Sequence, residues 1–165
     1  MGADTQTDPG RLEIDQVTGL ADRKAMLADL TEAVVPDCPP ALLMVFAFDG
    51  FNEYEELHGV LEGRKLLRRL ADRLGAVLDG IGTGYRPRGD EFAALVPQPS
   101  NAGDVLRASI AALTERDRYY SVIAAGGYAV VPIEATDPIA ALAIADRRLS
   151  ANAPRRGPRV AASRR

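Results

Sequence analysis

The sequence predicts one α/β domain in which helices cover a mixed central sheet of about five strands. The chain has 165 residues, which is the length of a single domain with its own core. Segments of strand length alternate along it with segments whose apolar residues recur every three or four positions, the spacing of helices. One pair of strand-like segments is separated only by a tight polar turn, which adds a hairpin to the otherwise interleaved order.

The first predicted element is an amphipathic helix within DQVTGLADRKAMLADLTEAVV, a segment that opens with a turn. Its apolar positions are Leu20, Met26, Leu27, Leu30 and Val34. The prolines of PDCPP end the helix, because proline cannot continue one. The continuous apolar run ALLMVFAF, residues 41–48, then predicts a central strand that is covered on both faces and ends at Asp49.

Two helices and the hairpin come next. The polar stretch NEYEELHG predicts a short helix, and VLEGRKLLRRLADRLGAVL predicts a longer one that ends at the glycines of GIGTG. The apolar face of the longer helix consists of Leu67, Leu70, Leu74 and Val77, with arginines on the opposite face. The segment YRPRGDEFAALVP then supplies two strands around a turn at residues 88–91.

The last third of the chain adds a helix, a strand and a final helix. AGDVLRASIAALTER predicts a helix, with Ser100 or Asn101 as its N-cap. YYSVIAAGGYAVV predicts a strand with a glycine pair inside it. DPIAALAIADRRLSAN predicts a helix with Asp137 as N-cap and Pro138 at the first helical position. This order of elements favours a mixed sheet of ferredoxin-like or palm type.

Composition narrows the class of protein. A hydrophobic content of 47% with 26% charged residues is ordinary for a soluble globular domain, and a net charge of -3 gives no reason to expect specific nucleic-acid binding. The single cysteine, Cys38, excludes an internal disulfide and a cysteine metal cluster. The pattern contains neither a signal peptide nor a membrane span, so we expect a cytoplasmic protein.

The two ends of the chain differ from the rest. Residues 1–13 are polar and acidic and predict a flexible arm, whereas residues 154–165 are basic and predict a disordered tail. The folded domain is therefore expected at residues 14–153.

The hairpin segment YRPRGDEF leaves three interpretations open when it is taken alone. It could be a polar turn, a cell-adhesion tripeptide, or a site for a metal ion and phosphate. Glycine and aspartate are favoured in turns, so the eight residues by themselves favour the polar turn. The adhesion tripeptide is disfavoured because nothing in the sequence is typical of a secreted protein.

Together with its neighbours, the hairpin resembles the GGDEF domain, the diguanylate cyclase family of bacterial cyclic di-GMP signalling. Four blocks occur in the family's order: DQVTGLADRKAMLADL for D-x-L-T-G-L-x-N-R-R, LLMVFAFDGFNEYEELHGVLEGRKLL for D-x-D-x-F-K-x-x-N-D-x-x-G-H-x-x-G-D, YRPRGDEF for R-x-G-G-D-E-F, and VIAAGGYAV with ALAIADRRLSAN for S-I-G-V-A and A-D-x-A-L-Y-x-A-K. The resemblance covers roughly residues 15–153.

The resemblance implies a nucleotide-cyclase fold whose reaction joins two GTP molecules held by two facing domains, with Mg²⁺ or Mn²⁺ at two carboxylates. Asp90 then matches the family's metal-binding acid and Glu91 the second, catalytic acid of the signature. Gly89 lets the backbone approach phosphate, while Arg88 replaces the first glycine and could still contact phosphate.

The first strand departs from the family's pattern. Ala47 stands where the family has its metal-ligating aspartate, and alanine has no oxygen to offer. Asp49, two residues further on, is the remaining candidate ligand, but it lies about 7 Å along the strand. A ligand at about 2.1 Å from the metal is not replaced at that displacement unless the metal moves.

The positions that read the base and the phosphate also differ. Glu55 replaces the asparagine, and Arg64 the aspartate, that contact guanine in the family. An arginine has only donors, so Arg64 would face the donors of guanine N1 and N2. Ala153 stands near the place of the family's phosphate-contacting lysine. The feedback motif R-x-x-D, which would fall on Asp79 and Gly82, is absent.

The sequence therefore predicts a degenerate GGDEF domain with impaired catalysis, acting as a regulatory, nucleotide-binding or protein-interaction module. The alternative is an active diguanylate cyclase, or a relative with a different choice of nucleotide. The partners expected from the resemblance are a weakly bound GTP or other nucleotide, and a protein partner or a second copy of the chain.

Overall fold

The computed structural model describes residues 13–153, which form six strands and five helices around one central sheet. The strands are β1 (Ala21–Asp22), β2 (Ala41–Asp49), β3 (Thr83–Arg88), β4 (Glu91–Pro97), β5 (Glu115–Arg116) and β6 (Ser121–Val131). The helices are α1 (Arg23–Ala33), α2 (Phe51–His58), α3 (Val60–Leu78), α4 (Ala102–Leu113) and α5 (Pro138–Asn152). Residues 1–12, which are all but the last residue of the predicted arm, and the predicted tail at residues 154–165 lie outside the described residues.

The strand order in the sheet is β1-β3-β4-β2-β6-β5. β2 is central and pairs antiparallel with both β4 and β6, while β1 pairs parallel with β3. The predicted mixed α/β architecture is thus confirmed. The sheet has six strands, against about five expected: the four placed individually from the sequence, and β1 and β5, which are two residues long and too short for any periodic pattern.

The central strand separates two layers of helices, because its side chains alternate between the faces of the sheet. Met44 and Phe46 pack in a core with α2, α3 and α4, whereas Leu43 and Val45 pack in a second core with α1 and α5. Residues 41–46 are all buried, as the continuous apolar run predicts.

The helix starts follow the capping rules. The Asp22 side chain accepts a hydrogen bond from the Ala25 amide at the start of α1, so Leu20 precedes the helix. Asn101 rather than Ser100 caps α4. Asp137 caps α5 and Pro138 opens it, as predicted.

None of the helices within residues 13–153 is both long enough and apolar enough to span a lipid bilayer. The longest helix, α3, has 19 residues but carries arginines and acids along its exposed face.

Candidate functional site

The signature hairpin is a two-residue connection between β3 and β4. Arg88 pairs with Glu91 across the strands, and Gly89 and Asp90 form the turn between them. Gly89 has φ +45°, a left-handed conformation that favours glycine, and the space where a side chain would project is open. Arg88 still lies in β3 and has no positive φ, so its side chain causes no backbone strain.

The register between β2 and β4 relates Ala47 to Glu91 at the end of the sheet that carries the hairpin. Phe46 of β2 pairs with Phe92 of β4, so the next step along the antiparallel pair brings Ala47 to Glu91. Strand alternation places both on the face of Val45 and Ala93, toward α1 and α5. The acid next to the position of the missing aspartate is therefore Glu91, while Asp90 occupies the turn.

The Glu91 carboxylate is engaged by arginine. Arg88 Nε donates to Glu91 Oε2 over 2.9 Å. Both side chains line a cavity of about 190 Å³ between α1 and α5, together with Asp146 of α5. Burial raises the pKa of the Asp146 carboxyl and the negative charge of Glu91 adds to the rise, while Arg88 opposes it.

A divalent metal ion does not fit this arrangement. Mg²⁺ prefers an octahedral set of oxygen ligands, and Ala47 contributes none. Asp49 shares the sheet face of Ala47 but lies opposite Ile123, two residues along β2. Within residues 13–153, no three His, Cys, Asp or Glu side chains come together in a group that could hold a metal.

The two candidate base-reading residues lie on neighbouring helices, Glu55 on α2 and Arg64 on α3. The Glu55 carboxylate covers Gly63, since a Cβ added to Gly63 would stand 2.7 Å from Glu55 Oε2. Glu55 is half-buried and Arg64 is exposed. Neither residue lines the two cavities at the hairpin.

The structure also leaves no room for a side chain at Gly82, where the resemblance would place the aspartate of the feedback motif. A Cβ on Gly82 would stand 2.7 Å from the Leu95 carbonyl oxygen, so this position accepts no side chain without a shift of β4. Asp79 follows the last residue of α3.

A larger cavity of about 500 Å³ lies on the other side of the hairpin. Its lining residues are Asp15, Asp22, Arg23, Lys24, Leu27, Arg86, Pro87, Arg88 and Gly89. The Arg86 guanidinium donates to both oxygens of Asp15, at 3.0 and 3.1 Å, and to the Gly89 carbonyl at 2.8 Å. Arg86 thereby ties the segment before α1 to the hairpin turn.

Arg23, Arg86 and Asp146 were not among the site residues predicted from the sequence. All three lie within the motif blocks that carry the family resemblance, so their membership in these blocks could have identified them as site candidates. Asp146 is 55 positions after Glu91, and a separation of that size gives no hint of contact before the fold is known.

The family model described as "Diguanylate cyclase, GGDEF domain" matches residues 12–157. Among curated proteins, the chain is 32% identical to diguanylate cyclase VdcA of Vibrio cholerae over 110 residues. That match takes in 63% of this chain and 32% of the relative, so the chain corresponds to about a third of that protein.

Solved structures share the fold. The GGDEF domain of TpbB, also called YfiN, from Pseudomonas aeruginosa is 26% identical with a TM-score of 0.73, over 84% of this chain and 87% of that one. The GGDEF domain of DgcB from Caulobacter crescentus, solved in complex with c-di-GMP, is 23% identical with a TM-score of 0.71, over 86% and 90% of the two chains.

Proposed function

The chain belongs to the GGDEF domain family of diguanylate cyclases, and from that premise we propose that it is a catalytically impaired member. It serves cyclic di-GMP signalling as a regulatory, nucleotide-binding or protein-interaction module. We place it in the cytoplasm, where GTP and cyclic di-GMP would reach it.

One observation carries the proposal: Ala47 and Glu91 are the residues that follow the last β2–β4 pair, Phe46 with Phe92, and alanine has no oxygen to offer a metal. The family's reaction depends on divalent metal ions that polarise a transferring phosphoryl group and neutralise its developing charge. With no oxygen at residue 47 and with Arg88 bound to Glu91, the chain lacks the ligand set for that step. Loss of the metal would remove most of the rate enhancement.

The parts of the site that remain still suit binding. Gly89 keeps the turn open, and Arg88 offers a charged fork where the family has glycine. The changes at Glu55 and Arg64 weaken guanine recognition, each good set of base contacts being worth about 1–3 kcal/mol. A nucleotide bound here would therefore be held mainly through its phosphates.

The second candidate, an active cyclase, has one observation in its favour. The β3–β4 hairpin keeps its two-residue turn and both acids, Asp90 and Glu91. Such an enzyme would need the facing arrangement of two copies, whereas a binding module could work with one copy and a protein partner.

The test is an assay for cyclic di-GMP with the full chain, GTP and either Mg²⁺ or Mn²⁺, resolved by chromatography, beside an active cyclase as positive control. We expect no product above the background of the reaction without protein. Multiple turnovers per chain would contradict the proposal and establish the active alternative. Calorimetric titration with each of the four nucleoside triphosphates then identifies which base, if any, the domain prefers.

A further inference from the structure

The two cavities at the hairpin share one wall, formed by Arg23, Pro87 and Arg88. We propose that the two arginines of this wall bind the di- or triphosphate group of a nucleotide without a metal ion. The proposal rests on the nucleotide-binding role given above and specifies its chemistry: guanidinium groups supply the positive charge that a divalent ion would otherwise bring.

The acids of the larger cavity, Asp15 and Asp22, are engaged with other partners, so neither forms an ion pair with Arg23 or Arg88. Asp15 accepts hydrogen bonds from the Thr18 amide at 2.8 Å and hydroxyl at 2.7 Å, in addition to its ion pair with Arg86. Asp22 caps α1 through the Ala25 amide at 3.0 Å. Each carboxylate is thus directed at a partner in the protein.

The two arginines, in contrast, have unused donors. The Arg88 side chain is 72% exposed and donates its Nε–H to Glu91, so the N–H groups of its two terminal nitrogens remain available to a ligand. Arg23 is exposed at the first position of α1, and no carboxylate of residues 13–153 lies within ion-pair distance of it. Paired N–H groups of a guanidinium match the oxygens of a phosphate.

The position of Arg23 adds a further favourable field. The first residue of α1 stands at the positive end of the helix dipole, which stabilises anions close to the first turn. Gly89, also in the lining, carries no side chain that would keep a phosphate away from the turn. The larger cavity is a groove that is wide open to solvent, so the phosphate group of a nucleotide can enter it from the surface.

Metal independence follows from the same residues. A metal ion would have to compete with Arg88 for Glu91, and it would find no second ligand at Ala47. The guanidinium charge, by comparison, is permanent at any physiological pH. Chelation of divalent ions should therefore leave phosphate binding intact.

The experiment is a calorimetric titration of the full chain with inorganic tripolyphosphate and, separately, with GTP, each in EDTA and in Mg²⁺. We expect tripolyphosphate to bind in EDTA. We expect Arg88→Gly and Arg23→Ala each to weaken this binding about tenfold or more, the effect of one lost charge-assisted bond pair. The matched control is Arg107→Ala, an equally exposed arginine on α4, away from both cavities.

The outcomes separate this proposal from the proposed function. Tripolyphosphate binding that disappears in EDTA, or that Arg88→Gly leaves unchanged, overturns the metal-free site. GTP binding without tripolyphosphate binding also overturns it, but retains a nucleotide-binding module. Production of cyclic di-GMP would overturn the impaired-enzyme proposal. The metal-free phosphate site would still be decided by the tripolyphosphate titration in EDTA.

Discussion

Residues 47 and 88 make opposite changes to the charge of one small region. Ala47 removes a negative ligand position beside Glu91, and Arg88 adds a cation that binds Glu91. Had only the aspartate been lost, Glu91 and Asp146 would lie near each other without a cation from the hairpin. If the domain works without a metal ion, as proposed above, Arg88 supplies positive charge that the ion would otherwise bring.

This compensation gives a prediction at the residue scale. The double variant Ala47→Asp with Arg88→Gly adds a carboxylate at residue 47 near that of Glu91. It also removes the guanidinium that pairs with Glu91. We expect Mg²⁺ or Mn²⁺ to raise the melting temperature of this variant, because an ion that binds only the folded state stabilises it by mass action. The wild type should show no such rise.

The measurement is a thermal melt in MgCl₂ and in NaCl of equal ionic strength. Ala47→Asn with Arg88→Gly is the matched control, since its added side chain has nearly the same shape without the charge. A metal-dependent shift in the wild type as large as in the double variant would show that the existing residues suffice for a metal site.

At the scale of elements, Gly127 of β6 determines how closely α5 packs on the sheet. A Cβ on Gly127 would overlap the Ala145 carbonyl and stand 2.8 Å from Leu149 Cα, so the backbone of α5 crosses β6 directly at this glycine. That contact also holds Asp146 and Leu149 of α5 at the wall of the smaller cavity.

Two glycine-to-alanine changes test this contact against each other. Gly127→Ala should lower the free energy of unfolding by about 1–3 kcal/mol or more, the cost of overpacking. Gly75→Ala, in open space on α3, should raise it by about 0.5–1 kcal/mol through helix propensity. Urea denaturation measures both. Equal effects of the two changes would mean that α5 does not rest on Gly127 in solution.

The elements themselves were largely predictable from the sequence, because apolar periodicity and capping residues are local signals. Asn101 and Asp137, both named as cap candidates, cap α4 and α5, and the run at residues 41–48 is the central strand. The short strands β1 and β5 were not predictable, since two residues have no period and form only because a neighbouring strand edge is present.

The candidate site was predictable only in part, for the same physical reason. Fixed motif spacing led to the prediction that Ala47, Glu55, Arg64 and the hairpin form the site. It did not reveal that Glu91 rather than Asp90 lies beside Ala47, which depends on the register between β2 and β4. Nor did it reveal the wall of Arg23 and Arg88, which brings together residues 65 positions apart.

At the scale of the whole molecule, three partly buried carboxylates within residues 13–153 join elements that are distant in the chain. Asp15 binds Arg86, Glu115 binds Arg69 and Arg73, and Glu134 binds Arg148. Burial works against ionisation of Asp15 and Glu115, but their hydrogen bonds to partners outweigh it, and both pKa values lie below the ordinary range. The hydrogen bond from Arg148 chiefly lowers the pKa of Glu134.

These shifts predict how stability depends on pH. In the unfolded chain the groups titrate near their ordinary values, 3.8 for Asp15 and 4.5 for the two glutamates, whereas the folded state holds them ionised to lower pH. The unfolded state therefore binds more protons in this range, and stability rises with pH. The contribution is complete above the unfolded values and is lost as pH falls through the folded ones.

The test compares urea denaturation at pH 7 and at pH 3.5 for the wild type and for a triple variant, Asp15→Asn, Glu115→Gln and Glu134→Gln. We expect the triple variant to be less stable at pH 7 by about 2 kcal/mol, at about 0.5–1 kcal/mol per pair. The difference should shrink toward pH 3.5, where the wild type has begun to lose the same interactions.

The control triple variant replaces three exposed glutamates by glutamine. These glutamates, Glu32, Glu53 and Glu56, form no ion pair within residues 13–153. A difference between wild type and the Asp15 triple that stays constant with pH would show that these carboxylates act through packing and not through their charge.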